Sequence, residues 1–403
     1  MKLFTNKYLN LKIVALFVAI SLILSSCEKK DGPQPGNELP ITLDCNYFND
    51  NPGAVLKDNP KAPIDYIVTC KMSIQGDVVI EPGVTIMFKT DAGLKIEGTN
   101  SLKAAGTSDK KITFTGEDKV PGSWSGIYFE SENVKNELSH TVVEYAGGSR
   151  FNSNNDLGNV ILYSGTTIKF TNNLIQYGKT YGLNQNYKTI TTSIENNVFK
   201  ENNIPIRVKA ENIDIIKSNN EFIGNTINKV EVHIYTSEPK GTQTWRKLTV
   251  PYFTTAGTTS IFIKGHLTIE PGTIIEMGEG TGFKVDENAS LKIVGTASDK
   301  IIIRGLTPVA GSWDRIYYTH TQSPNNQIKH AEIKHAGANP SVSKGAIYLW
   351  ASPRLLIEDT HFEDILSCSI NGYQGPGNID YQENLTVGSN VTHTNVGGEI
   401  CSN

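Results

Sequence analysis

Beyond residue 24 this 403-residue chain has no apolar run long enough to cross a membrane. It also lacks several short motifs that mark common enzyme chemistries. There is no GxxxxGK phosphate loop followed by Ser or Thr, no GxSxG nucleophile turn and no HExxH zinc helix. The glycine-rich turns lie between strand-like runs instead of opening helices. Cysteine is scarce, with five in all, and neither a CxxC pair nor a zinc-like spacing occurs. Excess basic charge is missing too: the formal net charge is −4, which argues against nucleic acid as a partner. Helix signals are few, so organisation has to be sought in short strands.

What is present is a segment written twice. Gly76–Trp124 reads GDVVIEPGVTIMFKTDAGLKIEGTNSLKAAGTSDKKITFTGEDKVPGSW, and Gly265–Trp313 reads GHLTIEPGTIIEMGEGTGFKVDENASLKIVGTASDKIIIRGLTPVAGSW. The offset is 189 at Gly76/Gly265, Pro82/Pro271, Gly106/Gly295 and Trp124/Trp313; only the SDK triplet slips by one. Glycine, proline and tryptophan held in phase this long identify an internal duplication. It extends past the tryptophans, where Leu138–Gly147 matches Ile328–Gly337 at an offset of 190. Within each copy, β-branched runs are punctuated by Gly, Pro, Asn and Asp. Glu81-Pro82-Gly83-Val84 and Glu270-Pro271-Gly272-Thr273 suit a type II turn.

A shorter period lies between the copies. Asn172-Asn173, Asn196-Asn197 and Asn219-Asn220 are each followed by an apolar residue, Ile175, Phe199 and Phe222, in steps of 24 and 23. Asp359-Thr360 with Phe362 takes the same place in the second half. Asn at one corner of successive coils fits left-handed backbone geometry and side-chain hydrogen-bond ladders, with the apolar residues stacking inside. The pattern resembles the right-handed parallel β-helix of the pectin-lyase-like superfamily over residues 70–395. The resemblance implies an all-β fold, a right-handed parallel β-helix (solenoid) of about a dozen coils built from the duplication. At ~4.8 Å per coil it would be a rod roughly 60 Å long.

At the N-terminus Lys2, Lys7 and Lys12 precede the apolar run Ile13–Leu24, which has the proportions of a signal-peptide core. Leu24-Ser25-Ser26-Cys27 resembles a bacterial lipobox. The resemblance implies cleavage before Cys27 and lipid on its thiol, so the expected partner is a membrane, reached through that lipid. A plain secretory signal with a chance cysteine is the alternative. Glu28 after the cysteine resembles outer-membrane sorting, and the expected address is the cell envelope. Losing residues 1–26, with three lysines and no acid, moves the charge to −7. The expected segments are a leader 1–26, a tether 27–40, an N-terminal cap 41–72, β-helix halves 73–241 and 242–378, and a C-terminal cap 379–403. The simplest pairing of the remaining cysteines is Cys45–Cys70 and Cys368–Cys401, one at each end; four independent thiols are the alternative.

The resemblance also raises polysaccharide cleavage. That chemistry needs gathered carboxylates or a placed base. Asp156, Asp314, Asp359 and the pair Glu363-Asp364 form no such cluster in the sequence, so no catalytic residue is carried over, and no cofactor or metal is expected. Asp314-Arg315 stands where the first half has Ser125-Gly126. It reads as a ligand-facing ion pair or, preferably, as a solvated loop pair. His320, His330, His335 and His361 read as metal ligands or, preferably, as corner residues. Trp124 and Trp313 either stack on sugars or plug the coil, and plugging is favoured. Tyr145, Tyr163, Tyr177 and Trp350 are candidates for an exposed aromatic row, Tyr163 and Trp350 matching between halves. The expected function is a non-catalytic envelope module that binds or scaffolds polysaccharide. The competing readings are a polysaccharide lyase or glycoside hydrolase, and an adhesin or protein-docking module.

Overall fold

The computed structural model describes residues 38–154, 156–185, 187, 193–338, 345–373 and 380–402. The leader, Cys27 and most of the tether lie outside them. Strands are short because a glycine, asparagine or other left-handed residue turns the chain every few positions. Each strand pairs in parallel with one a full circuit away, not with its neighbour in sequence. One ladder runs Leu94–Ile127–Val160–Leu183–Ile206–Val230. A second runs Ala104–Leu138–Phe170–Ile194. The third runs Ile86–Phe114–Val143–Ile175–Phe199–Phe222. The described chain is therefore all-β and built of long parallel sheets, an arrangement compatible with a parallel β-helix or solenoid. Among the described residues the helices are one α-turn, Tyr47–Asp50, and one 3₁₀ stretch, Ala210–Ile215.

The core is the line of inward side chains on these ladders. Ile127, Val160, Ile206, Phe114, Val143 and Phe199 are all fully buried. Like stacks on like: the rings of Phe199 and Phe222 lie 5.8 Å apart and nearly parallel. Burying each such side chain contributes about 1.5–3 kcal/mol.

The corners explain the asparagines. Asn172 and Asn196 have φ near 59° and 57°, in one column with His140 at 50°. In later coils His330, Asp359 and Asn390 hold the same conformation. Asn and Asp tolerate it because a short polar side chain can bond locally. Beside this column Asn173, Asn197 and Asn220 are buried and hydrogen-bonded in series. The Asn197 Oδ1 accepts from the backbone N–H and from Nδ2 of Asn173, both at 3.0 Å. A second buried asparagine ladder, Asn202 to Asn225, runs at the next corner.

The long extended run Leu355–Tyr373 contributes to three ladders in turn. It pairs with Gln327–Lys329, then Ala331–Lys334, then Ile347–Trp350. Asp359 at φ 46° and Asp364 at 53° are the bends that allow it.

The second Gly–Trp segment does not continue the first ladder for ladder. Val230 is followed by Tyr252, Ile275 and Ile303. By the offset that relates the two copies, Ile275 and Ile303 are the counterparts of Ile86 and Phe114, which belong to a different ladder of the first half. The second segment is thus turned by one face against the first. At the two ends, Cys45 and Cys70 are joined with Cα atoms 5.8 Å apart, and Cys368 and Cys401 with Cα atoms 6.1 Å apart.

Candidate functional site

Trp124 and Trp313 are fully buried. Trp124 stacks on Phe88 at 4.0 Å, and its Nε1 donates to the Glu144 carbonyl at 2.8 Å. Trp313 donates likewise to Lys334 at 2.7 Å. Both plug the coil where the long turn re-enters it, out of reach of a ligand.

His330 and His335 occupy left-handed corners. His330 lies 3.8 Å from Asp359, His335 3.9 Å from Asp364, and His361 3.8 Å from Glu363. Burial pushes the His335 imidazole below its usual range despite that carboxylate. Among the described residues no group of three or more His, Cys, Asp or Glu side chains is arranged to hold a metal ion.

The candidate aromatics do not form one row. Tyr145 and Tyr177 stack at 4.9 Å, 9° from parallel, on left-handed corners of successive coils. Trp350 stacks on Tyr373 at 4.4 Å and 7° in the second half. In these two pairs most of the facing π-surface is covered by the partner ring. Tyr163 is different. It lies 5.6 Å from Tyr128 at 32° and 4.2 Å from Tyr187 at 50°, and Tyr128 lies 5.4 Å from Phe151 at 32°. Tyr128 is fully covered, whereas Tyr163 and Tyr187 are half-exposed.

The loop after Gly147 builds this cluster. Gly148 N–H donates to the Trp124 carbonyl and the Ser125 and Ser149 hydroxyls meet at 2.7 Å, pinning the loop back over the ladder. Phe151 then lies on Gly93, where a Cβ would sit 2.6 Å from the ring; only glycine makes that space. Asn152 Nδ2 donates to the Tyr128 hydroxyl at 2.9 Å and Asn154 Nδ2 to that of Tyr163 at 3.2 Å. Lys95 lies 5.9 Å from the centre of Tyr128. Burial, then a hydrogen bond donated to Tyr163 and the charge of Asp156, push the Tyr187 hydroxyl up to about 12. Of the acids considered from sequence, Asp156 alone borders this group, and it is buried.

The same ladder carries a charged column that the sequence reading did not find. Outward positions run Arg207–Glu231–Phe253–Glu276–Arg304–Lys334–Glu363 across both halves. Glu231 is buried; the Tyr181 hydroxyl donates to its Oε2 at 2.9 Å. Arg207 Nε lies 2.9 Å from its Oε1, an ion pair whose N–H is not aligned as a hydrogen bond. Arg207 Nη2 is 2.8 Å from His233 Nδ1, which must accept because a guanidinium cannot. Burial first, then Arg207 and Lys209, lower His233 to about 4, so the ring is neutral at pH 7. Glu276, also buried, takes both Lys229 and Arg304. The signal was present as alternation in IPIRVK and VEVH, but variable spacing between coils hid the column.

Asp314 and Arg315 are not a solvated loop pair. Their charges are 3.6 Å apart with side chains only 17% and 13% exposed. The guanidinium lies 5.7 Å from the ring of Tyr317 and 5.4 Å from Tyr348. Partial desolvation strengthens such contacts.

No protein-family model matches the chain, nor does any curated protein or solved structure.

Proposed function

We propose that this chain is a lipid-anchored cell-envelope protein whose body is a right-handed parallel β-helix of about a dozen coils. In this reading the fold arose by internal duplication and binds polysaccharide without cleaving it. Parallel ladders between residues one circuit apart support the helix, and the matching pairings Lys95–Tyr128 and Lys284–Tyr317 support the duplication. The observation that carries the binding function is the splayed, half-exposed pair Tyr163 and Tyr187, seated on the buried ring of Tyr128. Sugar rings offer C–H faces to tilted aromatic faces, while phenol and asparagine groups at the rim exchange hydrogen bonds with hydroxyls. Solenoids bind through extended surfaces of this kind.

The test is affinity electrophoresis of the chain through a panel of polysaccharides. Tyr163→Ala, which removes the central ring, should weaken retention about tenfold, or about 1.4 kcal/mol. Unchanged retention on every polymer the parent binds would sink the reading, as would no retention on any. Release of reducing ends or unsaturated uronate in the same incubations favours the second reading, a carbohydrate-active enzyme. The place to look would then be Tyr181, Arg207, Glu231 and His233. For the anchor, Cys27→Ser should move the chain from the membrane to the soluble fraction. Continued membrane association would reject the lipid on Cys27.

A further inference from the structure

The second half carries its own aromatic column, and the cation within it lacks the carboxylates that its first-half counterpart holds. Outward positions on one ladder run Phe262–Lys284–Tyr317–Tyr348. The Lys284 ammonium lies 4.8 Å from the centre of Phe262 and 5.6 Å from that of Tyr317. Lys264 also lies over Phe262, at 4.9 Å, and is paired with Glu238 at 2.8 Å. Arg315, with Asp314 beside it, lies over Tyr317 and Tyr348.

The matching place in the first half shows what is missing. There Lys95, the counterpart of Lys284 in the duplication, pairs with Glu97 and reaches Glu130 at 4.0 Å. In the second half Asp286 replaces Glu97 and Thr319 replaces Glu130. Asp286 is one methylene shorter, and its Oδ1 accepts the N–H of Glu287 at 3.0 Å. Thr319 donates to the Val285 carbonyl at 2.8 Å and brings no charge. Among the described residues Lys284 therefore has no carboxylate at ion-pair distance, although it is half-buried between two rings. A cation held on aromatic faces and relieved of its counter-ions is a ready site for an anion, with ring surface on either side for an apolar face.

We propose that Lys284, with Tyr317 and Arg315 beside it, binds the acidic group of a negatively charged sugar, a uronate carboxylate or a sulfate ester. The proposal rests on the polysaccharide reading and adds to it a second site with a stated ligand charge. Because the second half is turned by one face, this site does not lie in line with Tyr163.

Dextran, dextran sulfate and hyaluronate separate the possibilities, since the first two share a backbone and the third carries uronate. With the full chain, at least one acidic polymer should bind about tenfold more tightly than dextran, and less tightly as salt rises. Lys284→Gln should abolish that preference, Lys284→Arg should retain it, and Lys111→Gln, at an exposed lysine of the first half, should change it less than twofold. Which acidic polymer responds identifies the group. Equal binding of dextran, or an unchanged preference in Lys284→Gln, overturns the anion site and leaves the polysaccharide reading standing. Binding of none of the three overturns the anion site and counts against that reading as well.

Discussion

Asn197→Ala should lower the unfolding free energy by about 3–5 kcal/mol, measured by urea denaturation. The amide is fully buried in the middle of its ladder. Its Oδ1 takes two N–H groups of Asn173, while its Nδ2 donates to the Phe170 carbonyl at 3.2 Å and to Asn220 Oδ1 at 3.1 Å. Alanine takes the Oδ1 acceptor from the Asn173 backbone N–H and one partner each from Asn173 Nδ2, the Phe170 carbonyl and Asn220 Oδ1, where water has no room. Asn173 Nδ2 keeps the Leu138 carbonyl and Asn220 Oδ1 keeps the backbone N–H at position 197. Each group left unsatisfied costs about 1–3 kcal/mol. The neighbouring Asn196 is exposed and supplies the control. Asn196→Gly keeps the positive φ and should change stability by less than about 1 kcal/mol. A loss at Asn197 no larger than at Asn196 would mean that the ladder does not hold the coils.

Trp313→Ala should cost about 3–5 kcal/mol by the loss of a buried aromatic, with a further penalty for the orphaned Lys334 carbonyl. Trp124→Ala should cost a similar amount, since Trp124 also stacks on Phe88. Thermal melting with tryptophan fluorescence reads both. Because solenoid stability is close to a sum of neighbouring interfaces, the loss should be greatest in the coils touching the mutated residue. A variant that melts like the parent would show that the ring does not hold the coil together.

These two cases also show what can be read from a chain of this kind. The Gly–Trp copies and the asparagine corners were legible because they meet backbone demands, a turn with positive φ or a buried N–H needing an acceptor, and such demands fix residue type. The column Arg207–Glu231–Glu276–Arg304–Lys334 was not, because coils differ in length and no single period links its members. Asn202 and Asn225 repeat at the same step as Asn197 and Asn220 and are also followed two residues on by Ile204 and Ile227, but two members give one step and no second step to establish a period. The setting of Asp314 and Arg315 needed Tyr348, which arrives from another circuit. Neither could the sequence say that Tyr163 and Trp350, equivalent by count, would stand on different faces. That depends on where the chain crosses from Val230 to Tyr252.

The crossing sets different side chains on the two stretches of each side. Had each ladder of the first half run into its own counterpart, every side would carry the same inscription twice. Instead, the side that begins with Lys95 and Tyr128 ends with Glu276, Arg304 and Lys334. A polysaccharide bound along that side, as proposed, would pass the tyrosine group at one end and the charged column at the other.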